Sequence, residues 1–93
     1  MPIITPNVPF VDVQRYAHLV PNVPSQTELD SLKPGDFVKL LCGYERFWVK
    51  LTSVTAEHLE GVVETRLIYT DQHGLKMGQE IQFSKSNVCQ IGG

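Results

Sequence analysis

Apolar and polar residues alternate through two neighbouring stretches of this chain, and that alternation carries most of the structural signal. From Phe37 to Cys42, Val38, Leu40 and Cys42 fall on one side, with Phe37, Lys39 and Leu41 on the other. From Glu45 to Val54, Phe47, Val49 and Leu51 share a side opposite Arg46, Trp48 and Lys50. A period of two is the mark of a strand with one buried face. Gly43-Tyr44 lies between the two, and glycine at the first central position suits a two-residue hairpin turn. A third strand is expected from about Leu59 to Tyr69, with Gly61 marking a bulge or bend. A fourth is expected from Glu80 to Ile91, interrupted near Ser84 to Asn87, where Ser-Lys-Ser-Asn reads as a turn.

Upstream, Ser25-Gln26-Thr27-Glu28 has the spacing of a capping box, in which hydroxyl and carboxylate each take the other residue's amide. A short helix through about Leu32 follows, with Leu29 and Leu32 on one side. Lys33-Pro34-Gly35-Asp36 then stops it, and proline followed by glycine at the central positions predicts a type II turn. The stretch Leu32 to Leu40 is echoed by Leu75 to Phe83, both of the form Leu-Lys-x-Gly-x-x-aliphatic-x-apolar. Two strands that need similar entry turns account for the echo more simply than a duplication does. On either account the two turns are expected to play equivalent structural roles.

Residues 1–24 hold Pro2, Pro6, Pro9, Pro21 and Pro24, five of the six prolines. Each removes a backbone donor and restricts its predecessor, so this arm is neither a central strand nor a long helix. Its apolar residues, Phe10, Val11, Val13, Tyr16, Leu19 and Val20, are too many for a solvated linker. The arm reads as a strap lying on the barrel or on a partner chain, with room for one helical turn around Asp12 to Leu19. Short strands with glycine-rich turns fit a small antiparallel barrel, SH3-like or OB-like, and the length favours the first. The expected fold is therefore mostly β: a small antiparallel, SH3-like, partly open barrel over residues 25–93. One short helix and an extended proline-rich N-terminal arm complete it.

Composition narrows the function classes. The 93 residues are 42% hydrophobic and 19% charged, the balance of one soluble globular domain. A formal charge of -2 and a pI of 5.8 give no basic excess for nucleic acid or acidic membranes. Cys42 and Cys89 are too few for a disulfide framework and too far apart for a zinc site, so both are expected as buried thiols. The N-terminus lacks a basic region before its apolar residues and is broken by prolines, unlike a signal peptide. No run approaches the roughly 18 apolar residues of a membrane span. A cytoplasmic setting with no membrane contact and no cofactor is expected.

Trp48 is the first candidate for chemistry. With Phe47, Val49 and Leu51 inward, it faces outward between Arg46 and Lys50, where it could stack on a ligand or anchor an interface. The competing reading is that the strap, or the Ser25–Leu32 helix, covers it, since tryptophan burial is valuable to a small domain. The polar set Tyr44, Glu45, Arg46, Glu64, Arg66 and Tyr69 reads as cross-strand surface pairing, for example Arg46 with Glu64. His18, His58 and His73 show no metal-ligand spacing. Asp71 and His73 form an acid–histidine pair on paper, within a stretch that loop composition already explains. No P-loop, nucleophile elbow or dinucleotide-binding glycine pattern is present.

The segments Gly35 to Lys39, Gly43 to Val49, Gly61 to Val63 and His73 to Phe83 together resemble a group of small bacterial and phage-associated domains of unknown function. The Glu-Arg-Phe-Trp-Val string is the most specific part, and the resemblance covers about residues 32–91. Gln79 departs from the pattern, which has an acidic residue after that glycine. The resemblance implies the fold and carries no activity with it.

The sequence thus points to a non-catalytic binding or interaction module with a candidate face at Tyr44, Arg46, Trp48, Lys50, Arg66 and Tyr69. Its partner is an unknown protein or a second copy. Three other readings stay open: a nucleic-acid-associated barrel, a small hydrolase or ligand-processing enzyme, and a structural homodimer that exchanges its arm.

Overall fold

The computed structural model describes residues 3–15, 23–43 and 45–92. Five strands form one antiparallel sheet: β1 (Phe37–Cys42), β2 (Glu45–Val54), β3 (Leu59–Val63), β4 (Glu80–Phe83) and β5 (Val88–Gly92). Their order is β4-β3-β2-β1-β5. β1 to β4 follow one another across the sheet, and β5 returns to pair with β1. The two edge strands are consecutive in the chain, joined by a single 3-10 turn, Lys85–Asn87. No ladder joins them among the described residues, so the sheet is not closed.

Alternation sorts the first two strands as expected. Val38, Leu40, Cys42, Phe47, Val49 and Leu51 are all buried, while Arg46 and Lys50 are exposed. Cys42 pairs with Glu45, and Gly43, which follows Cys42, takes φ 63. Two irregularities bend the sheet. Leu51 pairs with Gly61 but Ser53 with Glu60, which leaves Thr52 as an extra residue in β2. Lys39 pairs with Gln90 but Leu40 with Val88, which makes Cys89 the extra residue in β5 and buries it beside Val88. Such bulges raise local twist and coil a sheet toward itself.

The helix α1 (Gln26–Asp30) starts at the expected capping box. The Glu28 amide donates to Ser25 Oγ at 3.2 Å, and the Ser25 amide donates to Glu28 Oε1 at 3.2 Å. Leu29 and Leu32 then enter the core. The two echoed turns prove equivalent in detail. Gly35 and Gly78 adopt φ 98 and φ 91, a region open to glycine without a Cβ clash. In the first turn, Gly35 N donates to Leu51 O and Leu51 N to Asp36 O, both at 2.8 Å. In the second, Gly78 N donates to Val63 O at 2.8 Å and Val63 N to Gln79 O at 3.0 Å. Side chains complete the match: Asp36 accepts from Lys33 N and Gln79 from Lys76 N. An amide oxygen in the second turn thus takes the place that a carboxylate oxygen has in the first.

Two elements differ from expectation. The third strand ends at Val63, although Leu67 to Thr70 has strand-like composition. The amides of Ile68 and Tyr69 are drawn instead to the Glu45 carboxylate, so they join no ladder. A second helical turn, α2 (Thr70–His73), follows and ends at Gly74 with φ 79. Four residues are too short to display helical periodicity, so nothing in the hydrophobic pattern announces it.

Residues 3–13 of the N-terminal arm run along the open inner side of the sheet. Ile4 N donates to Glu80 O, Asn7 N to His73 O, Val11 N to Leu41 O and Val13 N to Ser86 O, at 2.7–2.9 Å. Phe10 sits 6.4 Å from the Phe47 ring and 6.2 Å from the Phe83 ring, and Val13 is fully buried. Tyr16, His18, Leu19 and Val20, and with them most of the helical turn expected around Asp12 to Leu19, lie outside the described residues.

Gly61 gives the fold its sharpest test. A Cβ there would lie 2.5 Å from Val49 Cγ1 and 2.6 Å from the Lys50 carbonyl oxygen, which is backbone and cannot yield without moving β2. Gly61→Ala should therefore destabilise by about 2–3 kcal/mol or more. Gly35→Ala, which meets nothing within 4 Å and strains only φ, should cost about 1 kcal/mol. Urea unfolding of the two variants checks the order.

Candidate functional site

The outward rows of β1 and β2 build a surface around Trp48. Because Cys42 pairs with Glu45, counting back along the ladder sets Lys39 directly opposite Trp48. The Lys39 ammonium lies 4.8 Å from the centre of the Trp48 ring, a cation–π contact. The far edge of the ring reaches across β1 to Gly92 of β5, where a Cβ would come within 2.9 Å of Trp48 Cζ3. On the other flank, the Trp48 amide donates to Thr65 Oγ1 at 2.9 Å and its carbonyl accepts from Glu64 N at 2.9 Å. Phe37, Trp48, Glu64, Thr65 and Gly92 line an open hollow of about 550 Å³. Trp48 is half-buried and Phe37 is exposed.

Among the described residues, neither the arm nor α1 covers Trp48. The described arm residues Ile4, Val8 and Phe10, and Leu29 and Leu32 beside the helix, pack on the core, which is the opposite face of β2. Among the described residues, Lys39 and Gly92 lie against the ring. Of the candidate face, Arg46, Trp48 and Lys50 share the outward row of β2. Arg66 follows β3, one residue beyond Thr65. Tyr69 lies elsewhere, its amide bound to the inward-facing Glu45. Tyr44 is outside the described residues. Phe37 and Lys39 belong to the site although the sequence does not single them out; their position is set by the two-residue turn and the alternation of β1.

A second constellation has no counterpart in the sequence motifs. Glu45 and His73, 28 residues apart, form a buried pair with Nε2 to Oε1 at 2.8 Å. Both side chains make further hydrogen bonds. Glu45 accepts from the amides of Ile68 at 2.9 Å and Tyr69 at 3.0 Å, and His73 Nδ1 accepts from Leu75 N at 3.0 Å. An Nδ1 that accepts leaves the ring proton on Nε2, so a neutral imidazole donates to a carboxylate. Arg46 and Glu64 make no ion pair among the described residues, and the partner of His73 is Glu45, not Asp71.

This pair is a latch for the segment from Glu64 to Leu75. It does not suit general-base chemistry, because neither ring nitrogen keeps a free lone pair and the ring is 1% exposed. Burial pushes the Glu45 carboxyl up. The His73 hydrogen bond and the amides of Ile68 and Tyr69 outweigh that and hold it below the usual carboxylate range. Burial, and secondarily the Glu45 charge, push the neighbouring Cys42 thiol up to about 11. That thiol donates to the Val8 carbonyl at 3.4 Å.

A larger hollow, about 660 Å³, lies between the arm and β4, walled by Ile3, Pro6, Phe10, His58, Phe83 and Asn87 among others. Thr5, Asn7, Gln82 and Ser84 also line it, and His58 is paired with Glu60 at 3.2 Å. No group of three or more His, Cys, Asp or Glu among the described residues could hold a metal ion. No helix there is long and apolar enough to cross a membrane.

Glu45→Gln should cost about 2–4 kcal/mol in chemical denaturation, because an amide cannot accept from three donors at once. A depressed folded pKa gives stability that is complete above the unfolded value, roughly 4.3. That stability is lost as pH falls through the folded value. Wild-type stability should accordingly drop on acidification below about pH 4.5, with a shallower drop in Glu45→Gln. For Trp48, acrylamide should quench the emission partially, and Gly92→Ala should shift it to the red and raise the quenching by lifting the ring off β5.

Compared with protein-family models, with curated proteins and with solved structures, the chain has no match.

Proposed function

We propose that this protein is a non-catalytic binding module whose working surface is the outward face of β1 and β2. One observation carries the reading: the Trp48 ring is fixed by Lys39 and Gly92 while its hollow stays open beside an exposed Phe37. An aromatic side chain held in place before binding loses little entropy when a partner arrives, which is why such residues anchor interfaces. Arg46 and Lys50 flank it on the same row, and Arg66 borders it beyond Thr65. The preferred partner class is protein.

The finer fold reading belongs to the same proposal. Four strands in a meander, a 3-10 turn, and a fifth strand returning to β1 support an SH3-like, partly open barrel. The resemblance to small bacterial and phage-associated domains, and a cytoplasmic setting, are part of it too. The buried Glu45–His73 pair lends no support to the hydrolase reading, since its nitrogens are both engaged.

Solution NMR tests the surface directly. The full chain, labelled with nitrogen-15, is titrated with a library of short peptides and mononucleotides. Binding compounds should move the Trp48 indole resonance and the amides of Phe37, Lys39, Trp48 and Thr65, leaving Asn7, Phe10 and His58 in place. Shifts confined to the hollow between the arm and β4 would move the function to that hollow and refute the Trp48 face.

A further inference from the structure

The Trp48 face, taken as the binding surface proposed above, has a charge pattern that selects among partners. The chain carries a formal net charge of -2. Yet the outward rows of β1, β2 and β5 hold three cations, Lys39, Arg46 and Lys50, and no carboxylate. None of the three forms an ion pair among the described residues. Two of them are diagonal neighbours on the β1–β2 ladder, since Lys39 pairs with Trp48 and Arg46 with Leu41. Among the described residues, Glu64 lines the hollow and Glu80 pairs across from Val62, while Glu28 and Asp36 line a second hollow beside Ile91 and Gly92. The face is therefore cationic at its Leu41–Arg46 end, with carboxylates beyond the hollow at its Phe37 end and toward β3 and β4.

From this we infer that the face docks an extended acidic segment of a partner protein. An apolar side chain of that segment enters the hollow between Phe37, Trp48 and Gly92, and its carboxylates lie toward Lys39 and Arg46. The two ends set the direction, since an acid placed over the hollow would meet Glu64. Unpaired cations beside an open apolar hollow supply both halves of such recognition: steering by charge and anchoring by burial. A single-stranded nucleic acid fits less well. A stacked base would have to displace Lys39 from above the ring, and its phosphates would run past Glu64 and Glu80.

The test is selection of a display library of random linear peptides on the immobilised full chain. Enriched peptides are then measured by fluorescence anisotropy, with a labelled oligothymidylate as the competing probe. Enriched sequences should combine aspartate or glutamate with a neighbouring apolar residue. Trp48→Ala should abolish their binding, and Lys39→Gln and Arg46→Gln should each weaken it about tenfold. Arg46 is exposed, so Arg46→Gln carries the test even if Lys39→Gln fails to fold. Peptides that need Trp48 but show no acidic bias, or that ignore both cations, overturn the acidic partner and leave the binding face standing. Trp48-dependent binding of oligothymidylate tighter than any peptide overturns it in favour of nucleic acid. Absence of any Trp48-dependent ligand removes the face itself, and the inference with it.

Discussion

The register of β1 against β2, fixed where Cys42 pairs with Glu45, is the constraint on which the rest of this molecule depends. Side chains alternate with a period of two, so a slip of one residue would exchange the faces of a whole strand. In the observed register, Val38, Leu40, Phe47, Val49 and Leu51 enter the core together. The same pairing puts Lys39 opposite Trp48 on the outside, and turns Glu45 inward at the end of β2. A buried carboxylate needs donors, and the chain after β3 supplies them: two amides and an imidazole. One short reversal thus determines both the exposed surface and the path of a distant loop.

Glu45 and His73 also explain why that loop has a defined shape despite little regular structure. Between Glu64 and Leu75 only the single turn α2 is helical. Order comes instead from four hydrogen bonds converging on two buried polar groups, a network that is stabilising only while every member is satisfied. His73 O in turn accepts from Asn7, so the latch also touches the N-terminal arm. Arm, loop and hairpin end are joined at one small polar centre within an otherwise apolar interior.

Legibility in the sequence divides along physical lines. Interactions closed within a few residues were legible, because their chemistry is written in adjacent letters: the Ser25–Glu28 capping box, the glycine turns at Gly35 and Gly78, the break at Ser84 to Asn87. Gly61 was readable as a bulge site, although the extra residue turns out to be Thr52 across from it. Interactions closed over long separations were not. Glu45 looks like any strand-terminal acid and His73 like any loop histidine, and nothing local pairs them across 28 residues. Leu67 to Tyr69 misled for the same reason, since strand propensity yields when the amides find a better acceptor. Lys39 stands between these cases. Alternation and a two-residue turn together place it against Trp48, but only when the two strands are read as a pair.

Gly92 gives the molecule a mechanical property. It pairs with Phe37 at the end of the edge strand β5, and it forms the floor beneath the Trp48 ring. Tension applied to the chain from that end loads β5 one pair at a time, like a zipper, because its ladder to β1 lies along the direction of peeling. Strand ends are also the first parts of a sheet to open spontaneously. The first pair to part is therefore the one that supports the tryptophan, so the Trp48 face loses its shape before the core is disturbed. On the proposed function, a partner at this face would bind only while β5 is still zipped.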